Sequence, residues 1–532
     1  MSLLSKLLTL IENIFIYPTL RVWGLSILSI LRFFSYKSES TKKYLYDNTL
    51  NNIPKKKGIF HPQNKEHIIR LIKVAHSNHA TIRVVGSGHS VWEAIYAQNN
   101  NCIHIILGGD FKKIHSINIS SDGNFALVNV GAGCHLGRDP NDRESSFENS
   151  FNFQVDQKGY ALPILGGMSH QTIAGFLQTS SSGGSLEHGI ADVLEEIEII
   201  NGKGETIILN KKTNEDKFNA SVVSMGLFGV ITRATFNLPK KYSVEGTEIN
   251  KEFKDSLLVN DKGHYRKLHD ALKNYEYFHM NWFPQKYVQR TSQWNGNLVS
   301  PELPKKPYKH LLKEKFMNVL AALALRISNL TEIIIGGNLA QRIIGLVLRT
   351  FIRIRKPVHF RDLWYKVLPN DDQADVDRLM KTSYTEIWFP LEKIDEVMGT
   401  LERLFRRKPS YAGNFAIELY GAKNSPYWMS PSYKRDVFRV NPYWWGRNLG
   451  DPYEFFEEFW KVLLPIDGAR LHWGKYMPKP GEIYGEHIFG INYLRHCYPK
   501  LNNWLDIREE MDPDQIFVTN YWRRVFDIRK NI

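Results

Sequence analysis

The spacing of apolar and polar residues changes several times between a helical and a strand period along this chain. Residues 67–75 carry apolar side chains at helical spacing, and residues 81–85 supply an apolar strand directly after them. A second strand is predicted at residues 126–130, where it runs into a glycine-containing turn. Residues 382–404 predict a strand followed by an amphipathic helix, and residues 416–420 predict another strand. The pattern therefore predicts a globular protein that contains both helices and strands.

An apolar stretch at the N-terminus lies outside this alternation. Its longest run without an ionisable side chain, residues 22–31, is much shorter than the roughly 20 residues that a spanning helix needs. It shows no small-residue cleavage site, and Glu12 is unusual near the start of a secretion signal. Apolar residues recur at helical spacing before Pro18, namely Leu3, Leu7, Leu10 and Ile14. Residues 1–45 are therefore predicted to be an amphipathic segment that lies in a membrane interface.

A second apolar stretch, residues 311–354, predicts two helices. One apolar stripe consists of Phe316, Val319, Leu320, Leu323 and Ile327, and the other of Ile343, Leu346, Val347 and Ile354. A basic face that suits phosphate headgroups is expected on the second helix, made of Arg342, Arg349, Arg353 and Lys356. The alternative is a pair of helices packed into the core or against a second copy. We expect peripheral or monotopic contact with a membrane, on its cytoplasmic face.

The composition narrows the class of protein. At 532 residues the chain is too long for one ordinary core, and 43% hydrophobic with 13% aromatic residues is typical of a folded globular protein. Cys102, Cys134 and Cys497 are widely spaced, so neither a disulfide framework nor a metal site is predicted. The net charge of +14 favours anionic partners. Because no nucleic-acid-binding motif is present, an acidic lipid surface is the preferred partner and nucleic acid is not expected.

Two short motifs carry the candidate chemistry. Residues 83–90, Arg-Val-Val-Gly-Ser-Gly-His-Ser, predict a strand that ends in a turn. In that turn Gly86 and Gly88 let the backbone present its amides to an anion such as a pyrophosphate, beside His89. Residues 472–475, His-Trp-Gly-Lys, stand far along the chain. Taken singly, the first motif also fits a plain loop that ends a strand, and the second an aromatic core.

Together and in this order, the two motifs resemble those of the vanillyl-alcohol-oxidase superfamily of flavoproteins, in its sugar-1,4-lactone and alditol oxidase branch. The resemblance implies that residues 86–90 are the pyrophosphate loop of an FAD site. It also implies that His89 carries the FAD covalently. No Gly-x-Gly-x-x-Gly turn opens a helix in the chain, so a nicotinamide-binding domain is disfavoured.

The chain between and after these motifs follows the same family. Residues 159–167, 171–175 and 188–189 resemble the small-residue segments that wrap the flavin, where a Cβ would collide with a planar cofactor. Residues 226–231 resemble a strand whose backbone approaches the cofactor, and residues 512–521 resemble the closing motif. The resemblance implies cofactor contacts from Arg83, Val85, Gly86, Ser87, Gly88, His89, Ser90, Gly133, Gly166, Gly167, Thr172, Ala174, Gly175, Thr179, Ser182, Gly183, His188, Gly189, Gly229, Ile231 and Tyr521.

Two positions depart from the family pattern. Where the family commonly has Thr-Gly-Thr-His-Gly, residues 179–183 are Thr-Ser-Ser-Ser-Gly, so Ser182 replaces a histidine. Where a family strand often carries Glu-x-Arg toward the sugar, this chain keeps Glu418 but has Tyr420. Loss of the guanidinium at Tyr420 argues against an anionic substrate or a recognised lactone carbonyl and favours a more apolar or stacked substrate. Ala174 stands where side-chain bulk influences oxygen access in the family, and alanine there leaves oxidase and dehydrogenase both open.

Alcohol oxidation of the kind that the family performs moves a hydride from carbon while the hydroxyl loses a proton. Lys475 is expected to supply a cation or a base, and His472 to accept the proton. Glu418 is expected to orient the substrate by accepting hydrogen bonds from its hydroxyls, and Tyr420 completes the predicted catalytic set. A plain salt bridge is the structural alternative for Lys475 and Glu418.

The fold expected from the resemblance is α+β. A two-subdomain FAD-binding domain of the PCMH type is expected at residues 46–238. An α+β substrate or cap domain with an antiparallel sheet is expected at residues 239–500, with a helical insertion near residues 295–360. Residues 501–532 are expected to pack back on the FAD domain.

The expected function is oxidation of a CH–OH group of a sugar lactone, an alditol or a related polyol, with oxygen or another group as the final electron acceptor. The first alternative is an oxidase or reductase of a lipid-linked sugar or a sterol alcohol at a membrane. The second is a membrane scaffold that keeps the flavin fold without turnover. Intact His89, His472 and Lys475 argue against the scaffold.

Overall fold

A small parallel sheet and one helix begin the part of the chain that the computed structural model describes, namely residues 58–97, 101–301, 307–308, 315–369, 382–445 and 448–530. The strands are β1 (Gly58–Phe60), β2 (Thr81–Val84) and β3 (Cys102–Ile105), in the order β1-β3-β2. Helix α1 (Lys65–Asn78) joins β1 to β2, as the apolar spacing predicts. The Asn64 side chain caps its first turn by accepting from the His67 amide. The predicted N-terminal segment, residues 1–45, lies outside the described residues.

An antiparallel five-stranded sheet forms the second subdomain of this half, in the order β4-β5-β8-β6-β7. Its strands are β4 (Ile114–Ile119), β5 (Phe125–Gly131), β6 (Leu194–Asn201), β7 (Thr206–Asn210) and β8 (Gly229–Pro239). The helices around it are α2 (Trp92–Ile95), α3 (Phe151–Gln157), α4 (Ile173–Gln178) and α5 (Glu215–Ser221). Gly229 has a φ of 145°, and a Cβ there would lie 2.2 Å from the Ile200 carbonyl oxygen. Glycine is therefore required where β8 meets β6.

A large antiparallel sheet dominates the second half, with the order β12-β9-β11-β10-β15-β16-β14-β17 and with β13 paired to β16. Its strands are β9 (Ser243–Glu252), β10 (Tyr277–Phe283), β11 (Arg290–Val299), β12 (Val358–Leu363), β13 (Thr382–Tyr384), β14 (Ile387–Pro390), β15 (Ile417–Ala422), β16 (Val437–Trp445) and β17 (Arg470–Leu471). A separate hairpin follows, made of β18 (Ile483–Tyr484) and β19 (His487–Ile488). The α+β class with an antiparallel second domain is thus confirmed.

Helices accompany this sheet and cover its apolar side chains. They are α6 (Arg266–Asn274), α7 (Lys315–Ile334), α8 (Gly337–Phe351), α9 (Trp364–Val367), α10 (Ile394–Arg407) and α11 (Pro452–Leu463). Helix α10 buries Val397, Leu401 and Leu404, which confirms the amphipathic helix predicted after β14. The predicted insertion contains α7 and α8, which pack on each other between β11 and β12 and are called the helical hairpin here.

The apolar side chains of the helical hairpin are oriented differently from the prediction. Helix α8 buries Ala340, Ile344 and Leu348, whereas Leu346 is 50% exposed. The buried row repeats every four residues; at its start the Ser328 hydroxyl of α7 donates to the Ala340 carbonyl oxygen, and beside it Gly345 meets Tyr287 in the loop between β10 and β11. The predicted stripe that included Ile343 and Leu346 was therefore wrong in phase, and Ile354 lies beyond the end of the helix.

The predicted basic face of α8 was also wrong. The helix ends at Phe351, so Arg353 and Lys356 follow it and do not share its face. Arg349 turns toward the protein, where its guanidinium donates to the Val288 carbonyl oxygen and pairs with Glu252. Of the described helices, not one is long and apolar enough to cross a membrane.

The closing segment of the chain contacts the first half of the molecule. It contains α12 (Ile491–Cys497), α13 (Leu501–Met511) and α14 (Asn520–Phe526). The Ile82 amide of β2 donates to the Ile516 carbonyl oxygen at 2.7 Å. The indole of Trp522 donates to the Ala94 carbonyl oxygen at 3.2 Å, and that of Trp504 to the Ala220 carbonyl oxygen at 3.0 Å. The bonds at Ile82 and Ala94 hold the two ends of the stretch that contains the loop after β2.

Candidate active site

One cavity, with about 760 Å³ of empty space, is lined by both halves of the chain. The first half contributes His89, Ser90, Gly166, Gly167, Met168, Gln171, Thr179, Ser181, Ser182, Gly183 and Gly184. The second half contributes His279, Tyr384, Glu386, Glu418, Tyr420, Arg439, Asn441, Tyr443, His472, Gly474 and Lys475. All the predicted catalytic side chains therefore meet His89 around one space. The first half offers mainly small residues to this space and the second half mainly ionisable and aromatic ones.

The loop after β2 is tied to residues 170–172 on one side and open on the other. The Ser87 hydroxyl donates to the His170 carbonyl oxygen at 2.6 Å, and a Cβ at Gly86 would lie 2.7 Å from Thr172 Oγ1. Gly88 has a φ of 78°, and a Cβ there would meet no atom within 4 Å. The glycines thus serve two needs, close approach at Gly86 and a left-handed turn beside open space at Gly88. His89 follows, with its ring 4.4 Å from the ring of His170.

Glu418 is a buried carboxylate held by its neighbours on adjacent strands. His279 on β10 hydrogen-bonds to one of its oxygens, and the Asn441 amide on β16 donates to the other at 2.7 Å. Burial opposes ionisation of this carboxyl group. The charge and hydrogen bond of His279, with further hydrogen bonds from Tyr443 and Asn441, outweigh that effect and lower the pKa of Glu418 to about 2. The group is therefore an ionised acceptor at neutral pH.

Arg439 lies between two aromatic rings and beside a second buried carboxylate. Its guanidinium is 3.9 Å from the ring centroid of Tyr420 and 4.1 Å from that of Trp388. Its Nε donates to Glu386 at 2.7 Å and its Nη2 to the phenol oxygen of Tyr420 at 2.7 Å. Burial opposes ionisation of Glu386, but the positive charges of Arg439 and Lys475 and the hydrogen bond from Arg439 outweigh it and lower the pKa of Glu386. A guanidinium is thus present in the cavity although Tyr420 replaces the family arginine. This corrects the expectation that the substitution removes one.

His472 is neutral in this environment. Burial, together with the positive charges of Lys475 and Arg439, lowers its pKa to about 3 against the opposing effect of Glu386. The Gly474 amide donates to His472 Nδ1 at 3.1 Å, so the neutral ring carries its proton on Nε2. A ring in this tautomer donates from Nε2. We therefore revise the role of His472 from proton acceptor to hydrogen-bond donor.

Lys475 supplies a positive charge at the same wall. Its Nζ lies 3.9 Å from the ring centroid of Tyr384, which also lines the cavity. The Lys475 backbone amide donates to the His472 carbonyl oxygen at 3.1 Å, so the two motif residues are fixed to each other. The position suits the prediction that Lys475 stabilises negative charge on a reacting oxygen.

Many of the predicted cofactor residues do not line this cavity. They are Arg83, Val85, Gly86, Ser87, Gly88, Gly133, Thr172, Ala174, Gly175, His188, Gly189, Gly229, Ile231 and Tyr521. Arg83 is a structural tie, because its guanidinium donates to the carbonyl oxygens of Ala94 and Met225 at 2.7 and 2.9 Å. His188 stacks on Tyr277 and lies 3.5 Å from a Glu276 carboxylate oxygen. For the others, contact with a cofactor stays a prediction.

Several polar residues of the cavity were missed from the sequence, among them His279, Glu386, Arg439 and Asn441. Each lies in or beside a strand whose neighbours are apolar, and each is nearly fully buried. An ionisable or amide side chain inside an otherwise apolar strand is the signal that would have found them, since such a group is usually buried only with a partner.

The residues present fit an FAD group. The turn at Gly88 leaves open space where a side chain would project, and the wall from Gly166 to Gly184 is rich in glycine and serine. Loop 86–90 and this wall would hold the cofactor, and His89 would lie at its reactive end. The charged wall formed by the second half would face the substrate.

Comparison with known proteins agrees with this arrangement. The sequence profile of D-arabinono-1,4-lactone oxidase matches residues 258–525, just over half of the chain, and that of an FAD binding domain matches residues 56–138. L-gulonolactone oxidase from Scyliorhinus torazame is 22% identical over 473 residues, which cover 88% of this chain and 94% of that protein. D-arabinono-1,4-lactone oxidase from Candida glabrata is 26% identical over 241 residues, 44% of this chain and 40% of that protein.

Solved structures show the same fold. Cholesterol oxidase from Brevibacterium sterolicum superimposes with a TM-score of 0.66 at 14% sequence identity, covering 88% of this chain and 94% of that chain. A solvent-stable cholesterol oxidase gives a TM-score of 0.64 at 13% identity with the same coverage. At such low identity the likeness establishes the two-domain fold alone.

Proposed function

Because the chain belongs to the D-arabinono-1,4-lactone oxidase family, we propose that it is an FAD-dependent oxidoreductase that oxidises a CH–OH group of a sugar lactone or a related polyol. The observation that carries the proposal is the single cavity in which the His89 loop meets Glu418 and Lys475. Small residues for a flat cofactor and charged residues for a polyhydroxylated substrate line the same space. Hydride transfer from an alcohol carbon requires that the substrate and the cofactor be held close together in a fixed orientation, and a cavity lined in this way allows it.

The side chains of the second half have separable roles in this reaction. The ionised carboxylate of Glu418 accepts hydrogen bonds from substrate hydroxyls and so orients the carbon that is oxidised. Lys475 places a positive charge where the reacting oxygen becomes negative, and neutral His472 donates a hydrogen bond from Nε2. FAD, when bound, supplies the hydride acceptor. Arg439 and Glu386 form a buried ion pair in the same wall, so their charges offset each other.

The proposal includes a covalent bond between His89 and FAD. His89 follows the loop that the sequence assigns to the pyrophosphate, and it lines the cavity beside small residues that leave room for a flat ring. A covalent link would prevent loss of the cofactor. Molecular oxygen is the proposed electron acceptor, because the relatives are named oxidases.

A gel and a spectrum test the reaction and the link separately. The purified protein is expected to absorb near 450 nm and to lose that absorption when an aldonolactone is added without oxygen. After denaturing electrophoresis the wild-type band is expected to fluoresce, and the His89→Ala band to be dark. A colourless native protein would contradict the proposed function. A dark wild-type band over a yellow native protein would contradict only the covalent link.

We also propose that the enzyme works at a membrane surface, which it contacts through the helical hairpin. Support comes from exposed apolar side chains that recur at helical spacing on α7 and continue over the tip onto α8. They are Leu323, Ile327, Leu330, Ile333, Ile334, Ile335, Leu339 and Leu346, with Ile334 70% exposed. Clusters of this size are unusual on a surface that faces only water.

Charge on the helical hairpin supports an anionic lipid surface as the partner. Residues 315–351 contain Lys315, Arg326, Arg342 and Arg349 but only one acidic residue, Glu332. Of these, Arg326 and Arg342 are exposed on the described surface. Apolar side chains would enter the interface while the guanidinium groups meet lipid phosphates.

Vesicle co-sedimentation of the full chain tests the membrane proposal. Binding is expected to vesicles of phosphatidylcholine with phosphatidylserine, and to weaken with salt and without phosphatidylserine. Ile334→Asp with Ile335→Asp is expected to lower binding at least tenfold, because a charge at the tip resists entry. The matched control is Ile488→Asp, since Ile488 is 60% exposed on a different element. Equal binding of both variants would refute the hairpin as the contact.

A further inference from the structure

Arg439 contacts both positions at which this chain departs from the family pattern. Its Nη2 donates to the phenol oxygen of Tyr420 at 2.7 Å, and its Nη1 donates to the backbone oxygen of Ser182 at 2.9 Å. By the resemblance described above, Tyr420 stands where the family often has arginine, and Ser182 where it commonly has histidine. One side chain from β16 therefore reaches both altered positions.

The register of the sheet explains how this happens. Tyr420 on β15 lies directly opposite Arg439 on β16, so their side chains share one face of the sheet at neighbouring positions. A positive charge therefore lies beside Tyr420, on the next strand. Trp388 covers the other side of the guanidinium, which leaves Arg439 only 2% exposed.

The guanidinium of Arg439 is fully committed to protein acceptors. Nε and Nη2 donate to Glu386, Nη1 donates to the backbone oxygens of Ser182 and Gly183, and Nη2 also donates to Tyr420. The ion pair with Glu386 offsets its charge. Arg439 therefore has no pair of N–H groups left to bind a substrate carboxylate through a bidentate hydrogen bond, in contrast to an arginine that points into a pocket.

We propose that Arg439 is a positioning residue, which holds Tyr420 so that its phenol takes over the substrate-binding place of the family arginine. This inference rests on the proposed function and specifies which group of the substrate Tyr420 recognises. The phenol binds a neutral oxygen of the substrate, a lactone carbonyl or a ring or hydroxyl oxygen. A ring-opened aldonate is discriminated against, because its carboxylate would meet the carboxylates of Glu418 and Glu386 without an uncommitted guanidinium.

A double-mutant cycle on steady-state kinetics tests this role. The variants are Tyr420→Phe, Arg439→Met and the double mutant, each assayed with an aldonolactone and with the corresponding aldonate. Each single change is expected to raise KM for the lactone about tenfold with kcat changed less than about threefold. The double mutant is expected to lie within about twofold of the worse single mutant, because both changes remove the same contact.

Arg439→Met leaves Glu386 buried without its partner, so a second background keeps the test usable. The double variant Glu386→Gln with Arg439→Met removes both charges of the ion pair. In the second cycle it takes the place of Arg439→Met, and Tyr420→Phe is combined with it. Absorption near 450 nm and the melting temperature are measured for every variant. Arg439→Lys is expected to raise KM less than Arg439→Met does.

The outcomes separate this inference from the proposed function. Effects that multiply to about a hundredfold in the double mutant would show that Arg439 acts independently of Tyr420 and would overturn the inference. An unchanged KM in Tyr420→Phe, or efficient turnover of the aldonate by the wild type, would also overturn it. A yellow wild-type protein that is inert on every lactone would instead contradict the proposed function.

Discussion

The backbone amide of Val91 donates a hydrogen bond of 2.9 Å to the carbonyl oxygen of Gly474. This bond joins the glycine-rich loop of the first half to the His-Trp-Gly-Lys motif of the second. Ser90, which precedes Val91, and His472, two residues before Gly474, both line the cavity. The position of the glycine-rich loop relative to the His-Trp-Gly-Lys motif therefore depends on a backbone contact that leaves little room for a side chain.

Gly474→Ala is expected to disturb this contact. An added Cβ would lie 2.7 Å from Ser90 Oγ and 3.3 Å from His472 Cε1, so one or both of these side chains must move. We expect kcat/KM to fall about tenfold, since small displacements between reacting groups are costly. Steady-state kinetics with the flavin content measured in parallel check the prediction.

The control for this change is Gly399→Ala in α10. The nearest atom to a Cβ there is the distant end of Arg403, at 3.4 Å, and alanine is the better helix former. This variant is expected to keep full activity and to melt at the same or a higher temperature. Equal activity of the two variants would show that the contact between the motifs tolerates movement.

The sequence predicted the parts of the site that local backbone chemistry demands. The left-handed turn at Gly88 is a local demand of the backbone, whereas Gly86 is needed because the loop approaches Thr172 closely. The residues after these glycines, and the motif at His472, could therefore be assigned from short stretches of chain. The strand and helix after residue 382 were predicted for the same reason, since their periods are local.

The partners across the sheet could not be predicted this way. Arg439 meets Tyr420, and His279 meets Glu418, only because the pairing register of β10, β15 and β16 places them together. A shift of one residue in either strand would turn these side chains to the opposite face. The buried face of α8 was predicted wrongly for a related reason, because the surface on which the helix packs is distant in sequence.

Asn441 is expected to bind a substrate hydroxyl. Its amide nitrogen donates to Glu418, while its Oδ1 is buried without a hydrogen-bond partner among the described residues and lines the cavity. An unpaired buried acceptor is costly, so a donor from the substrate would satisfy it. Asn441→Ala is expected to raise KM for a lactone about tenfold.

A matched control for Asn441 lies on β9. Asn250 is also 2% exposed, its amide donates to the Arg353 carbonyl oxygen at 3.0 Å, and its Oδ1 likewise lacks a partner in the described part of the chain. It does not line the cavity. Asn250→Ala is expected to change the melting temperature but not KM. If both variants raised KM alike, the effect would come from general destabilisation.

His472 is expected to act as a donor at every physiological pH. Its pKa of about 3 means that the ring stays neutral above that value, so it contributes no rise in kcat/KM near pH 6.5. His472→Gln, which keeps an N–H group, is expected to retain activity within about tenfold, and His472→Ala to lose about a hundredfold. If glutamine were as harmful as alanine and the wild-type rate rose through pH 6.5, His472 would be the base instead.

Glu418 is expected to make the stability of the folded protein depend on pH in the acid range. Its pKa is about 2 in the folded chain and 4.5 without its partners, so the unfolded chain takes up the proton first as the pH falls. The stabilisation is fully present above pH 4.5 and is lost as the pH falls toward 2. Between those values the free energy of unfolding should drop by about 1.4 kcal/mol per pH unit from this group.

Glu418→Gln removes the titrating group, so urea unfolding from pH 6 to pH 3 should show the wild type losing its advantage over the variant. A constant difference between the two proteins across this range would mean that Glu418 is not held as an ionised group by His279.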